Sequence, residues 1–212
     1  FVNWNFKRAP GFMDVVCYTG TGSARTVTHN LGAAPEFMIV RSRGPENWFT
    51  YHSSLGPTKR GPCLDLGDGG NTGTSYWNNT APTSTVFTVG TDGGTNSSAT
   101  NYIAYLFSSL SGISKVGSYT GNGTTQQINC GFTNGARFVM LKRLGVNSGW
   151  YVWDSARGIV SGNDPYLLMN STAAENTSTD YIDPYSAGFE ISSTAPADIN
   201  ANGDSFIFLA IA

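Results

Sequence analysis

The chain has 212 residues, of which only 12% are charged, and its formal net charge is −2. Soluble domains typically carry about 25% charged residues, and a slightly acidic chain has no basic field to hold nucleic-acid phosphates or anionic lipid. The 26 glycines and 13% aromatic residues exclude coiled coils and helical bundles, which need Ala, Leu, Glu and Lys at helical spacing. We therefore expect no nucleic-acid partner, and no membrane insertion, because no apolar run approaches the ~20 residues of a membrane helix.

The first six residues, FVNWNF, are rich in aromatic residues, like the two strands that end the halves of the chain. Residues 1–11 therefore predict the closing strand of a preceding unit, or a strand donated into the first one, followed by a connector. The start carries neither the charged nor the apolar region of a signal peptide, and it has no initiating Met. We expect the chain to begin inside a longer protein and to carry no secretory signal.

Short runs of Val, Ile, Phe, Tyr and Thr then alternate with clusters of Gly, Asn, Asp, Pro and Ser, which is typical of strands joined by turns. The first half predicts strands near residues 14–19, 25–30, 36–43, 47–53, 62–66, 74–78, 85–90 and 101–107. The second half predicts them near 115–120, 125–130, 137–143, 149–154, 165–169, 180–182, 188–192 and 205–211. Helix is limited to a turn or two, within 171–176. This pattern predicts an all-β, antiparallel sandwich of the jelly-roll or lectin-like kind.

The two halves resemble each other at a nearly constant offset. VVCYTGTG around Tyr18 matches VGSYTGNG around Tyr119, which lies 101 residues later. The apolar runs FMIV at 37–40 and FVML at 138–141 keep the same offset, and each half ends in an apolar strand. Ordered agreement of this kind indicates an internal duplication. We expect two tandem sandwich units, at residues 12–107 and 108–212.

Cysteine and histidine residues show no reactive pattern. The three cysteines, Cys17, Cys63 and Cys130, have no paired spacing, which predicts free thiols in a reducing cytosol. His29 and His52 are the only histidines, and His52 cannot easily act on Ser53 because neighbouring residues of a strand point to opposite faces. We expect His52 to be a half-exposed strand histidine. The sequence offers no carboxylate pair, phosphate loop or nucleophile elbow, so we predict a protein that is not an enzyme and has no cofactor or catalytic residues.

One segment resembles the start of a calcium-binding loop. Asp198, Asn200, Asn202 and Asp204 follow the D-x-N-x-N-G spacing. The twelfth position, where such loops need a bidentate Glu, is Leu209. Asn-Gly also suits a tight β-turn, because Gly tolerates positive φ. We interpret the segment as a turn and keep its four oxygen-bearing residues as a calcium candidate.

Two aromatic residues are candidates for ligand binding. Tyr76 and Trp77 lie in the turn-rich stretch SYWNN. Aromatic rings that face the solvent can stack on the apolar faces of sugars. We therefore expect Tyr76 and Trp77 to be exposed and to contribute to glycan binding.

The last predicted strand is apolar on both faces. One face would carry Phe206, Phe208 and Ala210, and the other Ile207, Leu209 and Ile211. A strand in a solvated sheet normally has one polar face, so the sister unit, a preceding domain or another subunit should cover the second one. We expect another subunit, in a homotrimer.

These motifs together resemble the repeats of a family of marine bacteriophage virion proteins. The resemblance is carried by YTGNGTTQ at 119–126, RFVMLKR at 137–143, WDSARG at 153–158 and FIFLAIA at 206–212. Such cyanophage-like proteins are described as tail fibres or fibre-like structural proteins. Lectin-like sandwich domains commonly occur together with their repeats.

The resemblance implies a role without assigning catalytic residues or ligand positions. It implies a non-enzymatic virion component, assembled in the host cytoplasm, that acts as a tail fibre or receptor-binding module. Its partners would be copies of itself in a threefold fibre, other virion proteins, and a glycan or protein on the host surface. The alternatives are a capsid decoration or fibre protein, or a stand-alone carbohydrate-binding module.

Overall fold

A computed structural model describes residues 2–212, and over this range the chain is all-β with every pair of strands antiparallel. The predicted all-β, antiparallel class is confirmed. The chain forms two compact units. Unit 1 holds the residues up to Gly61 together with Asn71–Ser109, and unit 2 holds Pro62–Gly70 together with Leu110–Ala212. Among the described residues, no helix is long and apolar enough to span a membrane.

The elements of unit 1 are short and separated by turns. Its strands are β1 (Met13–Thr19), β2 (Arg25–Thr28), β3 (Phe37–Ser42), β4 (Phe49–His52), β5 (Lys59–Arg60), β6 (Asn71–Thr72), β7 (Val86–Val89) and β8 (Asn101–Phe107). A 3-10 helix lies at Ser53–Leu55, and helix α1 covers Gly93–Asn96. The main sheet has the order β1-β8-β3-β4, and β2 pairs with β7 in a second sheet. Aromatic residues including Trp77 and Phe87 fill the core of this unit.

Unit 2 is built in the same way. Its strands are β9 (Ser114–Thr120), β10 (Gln126–Asn129), β11 (Phe138–Arg143), β12 (Trp150–Asp154), β13 (Leu167–Leu168), β14 (Ile182–Tyr185), β15 (Gly188–Ile191) and β16 (Ser205–Ile211), with helix α2 at Ala197–Asn200. The five-stranded sheet has the order β13-β12-β11-β16-β9, and a three-stranded sheet has the order β10-β15-β14. The apolar core draws on both sheets, which is the arrangement of a sandwich. In each unit the first, last, third and fourth strands are neighbours in that order.

Within the two halves of the chain, two of the predicted strands and the predicted helix do not form. Residues 62–66 contain no strand and belong to the Pro62–Gly70 segment of unit 2. Residues 74–78 form turns, and residues 171–176 contain no helix but include an isolated β-bridge from Asn176 to Tyr166. The helices that do form are single turns, and Asp92 caps α1 by accepting a hydrogen bond from the Gly94 N–H.

The start of the chain differs from its prediction. Residues 2–8 form no strand, and Phe1 lies outside the described residues. The Phe6 ring instead packs edge-on against Phe12 and Phe107, with ring centroids 6.5 and 6.2 Å apart. Aromatic packing at the end of β1 therefore holds this segment in place of strand pairing.

The second face of the five-stranded sheet is buried within one chain. Phe206 and Phe208 of β16 join the core of unit 2. Ile207 and Leu209, on the opposite face, are only 0% and 2% exposed. A single chain therefore already buries these side chains, so their burial does not require another subunit. The homotrimer itself stays a prediction.

The Pro62–Gly70 segment lies on this second face. The Trp150 indole N–H on β12 donates to the Cys63 carbonyl at 2.9 Å, and the Ser148 N–H donates to the Gly67 carbonyl at 2.8 Å. These contacts fix residues 62–70 against unit 2, although the chain returns to unit 1 at Asn71. The predicted bounds of the two repeated units, 12–107 and 108–212, stay a prediction.

Candidate functional site

The predicted aromatic platform is not exposed. Trp77 is fully buried and packs edge-on against Tyr51, with ring centroids 5.8 Å apart. Tyr76 is half-buried. Its ring stacks on Phe49 at 5.8 Å and lies 5.6 Å from the Arg60 guanidinium carbon. The prediction that Trp77 is exposed is therefore wrong, since the turn containing it folds the indole into the core of unit 1.

The four candidate calcium ligands are divided between two different networks. Arg143 on β11 pairs with Asp198 at 3.3 Å and with Asp204 at 2.5 Å, so a guanidinium already neutralises both carboxylates. The Asn200 side chain is buried and hydrogen-bonded elsewhere, and Asn202 is exposed. No cluster of three or more His, Cys, Asp or Glu side chains that could hold a metal ion occurs in the described part of the chain.

Both histidines are buried, which corrects the prediction that His52 is half-exposed. The His29 Nε2 lies 3.1 Å from the Thr83 carbonyl, and its Nδ1 accepts a hydrogen bond from the Leu31 N–H at 3.2 Å. Burial lowers the pKa of His29, against the opposing effect of the Thr83 hydrogen bond. His52 accepts from the Ser54 N–H and caps the 3-10 helix. Both rings thus serve the local fold.

All three cysteines are free thiols. Cys17 is exposed, whereas Cys63 and Cys130 are buried. Burial raises the pKa of Cys130 to about 12, so its thiol stays protonated and poorly reactive at neutral pH.

A buried carboxylate orders one loop of unit 2. Asp164 is fully buried and accepts hydrogen bonds from the Tyr181 and Ile182 N–H groups, at 3.1 and 3.2 Å. Burial raises the pKa of Asp164 to about 6, although the hydrogen bonds to its carboxylate favour the charged form. The side chain holds the start of β14 beside the loop that precedes β13. Sequence reasoning missed this contact because its partners lie 17 and 18 residues away.

A buried lysine fixes the Pro62–Gly70 segment. Lys142 on β11 is fully buried, and its Nζ donates to the carbonyls of Ser148 at 2.5 Å and Gly67 at 3.2 Å. Burial lowers the pKa of Lys142 to about 8, while nearby Asp68 and Asp198 act in the opposite direction. Because its ammonium group is occupied by two backbone carbonyls, its role is structural.

A tyrosine and an asparagine hold the first loop of unit 1. In this loop brace (Tyr18 and Asn96), the Tyr18 hydroxyl donates to the Thr95 carbonyl at 2.6 Å. The Asn96 side-chain oxygen accepts from the Thr21 N–H at 2.9 Å, and its amide nitrogen donates to the Ser23 carbonyl at 2.7 Å. Asn96 is fully buried. The contacts join helix α1 to the loop between β1 and β2.

Unit 2 repeats these contacts at corresponding positions. In its loop brace (Tyr119 and Asn200), the Tyr119 hydroxyl donates to the Ile199 carbonyl at 2.5 Å. The Asn200 oxygen accepts from the Asn122 N–H at 3.0 Å, and its nitrogen donates to the Thr124 carbonyl at 2.6 Å. Sequence reasoning matched the two tyrosines but missed the two asparagines, which both lie in short single-turn helices before the closing strands.

One end of unit 2 carries an open groove with a volume of about 540 Å³. The residues that line it come from the β10–β11 loop, the loop after β12 and the β14–β15 turn. They include Thr133, Asn134, Arg137, Ser155, Ile159 and Tyr185. We call this site the Arg137 groove. None of its lining residues is acidic, so it has a positive formal charge.

Comparison with known proteins gives one match. The family model described as a domain of unknown function (DUF7483) matches residues 5–212. No curated protein and no solved structure matches the chain. The chain's own residues are therefore the basis for a functional argument.

Proposed function

The chain belongs to the family of the domain of unknown function DUF7483, and we propose that it is a non-enzymatic structural and adhesion module of a bacteriophage particle. Its place would be in a tail fibre or receptor-binding protein, assembled in the host cytoplasm and incorporated into the virion. Its partners would be other virion proteins, further copies of the chain in a homotrimer, and a glycan or protein on the host surface.

The observation that carries this proposal is the loop brace, which both units contain. In each unit a tyrosine hydroxyl and a buried asparagine join the single-turn helix to the first loop. Such agreement supports an internal duplication of one rigid building block. Repeated rigid units are a simple way to build a projecting fibre, because each copy extends the structure without a new fold.

The use of the buried titratable groups also supports a structural role. Asp164 binds backbone N–H groups, and Lys142 binds backbone carbonyls. Arg143 is held between Asp198 and Asp204. Each of these groups is engaged in contacts that stabilise the fold, whereas an acid, base or nucleophile has to face a reacting atom.

Low surface charge suits an adhesive surface in salt water. Only 12% of the residues are charged, and ion pairs between exposed groups weaken as salt screens them. Hydrogen bonds from Ser, Thr and Asn side chains depend much less on ionic strength. Loops that bind a host surface through such hydrogen bonds would therefore lose little affinity in seawater.

The test is to locate the chain on intact particles. Antibodies raised against the purified chain should label particles of the phage that encodes it in immunogold electron microscopy, and pre-immune antibodies should not. Labelling at the tail tip supports a receptor-binding fibre, and labelling over the capsid supports the alternative of a decoration protein. A chain that is abundant in infected cells but absent from purified particles contradicts the proposal.

A stand-alone carbohydrate-binding module is the second candidate function. The Arg137 groove favours it, since a concave site with hydroxyl, amide and aromatic groups suits a sugar. Purified chain that binds saccharides, with no particle that contains it, would support this candidate over the first.

A further inference from the structure

We propose that the Arg137 groove of unit 2 binds an acidic saccharide, whose carboxylate or sulfate group pairs with the Arg137 guanidinium. This inference rests on the proposed adhesive function and names the chemical class of the ligand. It replaces Tyr76 and Trp77 as the sugar-binding candidate, because the rings of those residues are engaged in unit 1.

The charge of the groove favours an anion. Arg137 is exposed and forms no ion pair within the described residues. Asp154, at the end of β12, is already paired with Arg157 at 3.0 Å. The guanidinium is therefore free to form a charge-assisted hydrogen bond pair with a planar carboxylate or with a sulfate.

The rest of the lining suits a sugar ring. Thr133, Asn134 and Ser155 offer hydroxyl and amide groups for hydrogen bonds with sugar hydroxyls, and Tyr185 and Ile159 offer apolar surface. A saccharide combines polar edges with apolar ring faces, so it needs both kinds of contact. The volume of about 540 Å³ lies within the range of roughly 300–1,000 Å³ that is typical of small-ligand sites.

The walls of the groove are fixed by backbone hydrogen bonds. The Arg137 N–H donates to the Ile211 carbonyl at 2.7 Å, and the Arg137 carbonyl accepts from the Ser155 N–H at 2.8 Å. The Gly135 N–H donates to the Ser186 carbonyl at 2.8 Å. The three segments that form the groove are thus connected before any ligand arrives, which reduces the entropy lost on binding.

The positive charge is particular to unit 2. The matching position of unit 1 is Glu36, whose carboxylate accepts a hydrogen bond from the Ser109 N–H at 2.5 Å. A side chain needed only for the shared fold would be expected at both positions. Arg137 therefore distinguishes the groove from the framework that the two units share.

The experiment measures binding of defined disaccharides to the full chain by isothermal titration calorimetry. The probes are a glucuronic-acid-containing disaccharide, a sulfated disaccharide and a neutral disaccharide of the same size. We expect binding of at least one acidic probe, weakened by about tenfold or more in Arg137→Gln. The control Arg43→Gln, which removes an exposed arginine of unit 1, should leave affinity unchanged. The two acidic probes distinguish carboxylate from sulfate recognition.

Equal affinity of wild type and Arg137→Gln for the acidic probes, or binding of neither acidic probe by wild type, overturns the inference. Thermal unfolding verifies that each variant is folded, and Arg137→Lys, which keeps the charge, should retain more affinity than Arg137→Gln. Particle labelling is independent of this result. If antibodies label the particles but the chain binds no acidic saccharide, the adhesive function is still supported and the assignment of the groove is wrong.

Discussion

The side chain of Asn200 shows how one buried amide can determine the conformation of a loop. It both accepts from the Asn122 N–H and donates to the Thr124 carbonyl. Neither alanine nor an aliphatic side chain can replace these contacts. Removing a partner from a buried hydrogen bond leaves the other group unsatisfied, which is more destabilising than the loss of the bond alone. Asn96 has the same relation to Thr21 and Ser23 in unit 1.

We predict that Asn200→Ala lowers the free energy of unfolding by about 2–4 kcal/mol, because two backbone groups lose their partner. Urea unfolding followed by tryptophan fluorescence measures this change. The control Asn202→Ala alters an exposed residue of the same turn and should change stability by less than about 0.5 kcal/mol. Equal stability of the two variants would show that the loop brace contributes nothing.

Single residues also show where sequence reasoning reaches its limit. The short apolar run at 138–141 placed Val139 and Leu141 in a strand, and both lie in the core of unit 2. Trp77 could not be placed in this way, because it lies in a turn where no period indicates which side chains point inwards. The burial of His29 could not be predicted for the same reason: its partners, Thr83 and Leu31, are set by loop conformation.

At the scale of elements, the Pro62–Gly70 segment is the main departure from expectation. Its apolar start predicts a strand at residues 62–66. Cys63 and Leu64 are buried as such a strand would require, but no strand forms. The segment instead bonds to Trp150 and Lys142, which lie about 80 residues further along the chain. Local patterns show that a segment is apolar but not which surface receives it. The long, continuous strands were predictable because their pairing repeats over many residues.

Lys142 should make the docking of this segment depend on pH. Its pKa is about 8 in the folded chain and 10.5 in its ordinary state. Between these two pKa values, Lys142 is protonated in the unfolded chain and largely neutral in the folded chain. The free energy of unfolding therefore rises with pH over this interval, and Lys142 adds no pH dependence below its folded pKa. We predict that Lys142 contributes a rise of up to about 2 kcal/mol between pH values of about 7.5 and 9.5. The net rise is reduced to about 1 kcal/mol, because burial raises the pKa of Cys130 and its thiol loses a proton over this interval only in the unfolded chain.

The measurement is urea unfolding across this pH range for wild type and Lys142→Met. The variant should lose the rise, because it removes the buried amine. Lys59→Met, which removes an exposed amine, should keep it. A wild-type stability that is flat or falls with pH over this interval would contradict the assignment.

At the scale of the whole molecule, composition and periodicity were sufficient for the all-β class, whereas the candidate groove was out of reach. Its lining residues belong to three loops, with Thr133, Ser155 and Tyr185 separated by 20 or more residues in sequence. Arg137 drew attention only as a member of the repeat. Loops from distant parts of the chain meet only after the sheets have formed, so the spacing of residues in the sequence does not predict the groove.

The burial of β16 changes what a charged substitution should do to the molecule. Ile207 and Leu209 are almost fully buried in a single chain. A carboxylate introduced there would lose its hydration without gaining a partner. Ile207→Asp should therefore destabilise the folded chain itself by more than about 4 kcal/mol, a large part of a typical stability of ~5–15 kcal/mol. Subunit dissociation is not needed to explain such a loss.

Ile207→Ala keeps the chain folded in this test, since a large-to-small change in a core lowers stability by about 2–5 kcal/mol without introducing charge. The fall in its urea midpoint relative to wild type should be the same at two protein concentrations that differ by about tenfold, because the lost packing lies within one chain. Ile113→Asp is the matched control, since Ile113 is 46% exposed and should tolerate the change. Light scattering on the same samples reports the oligomeric state. If wild type is a trimer and Ile207→Ala is a folded monomer, β16 contributes to a subunit interface after all.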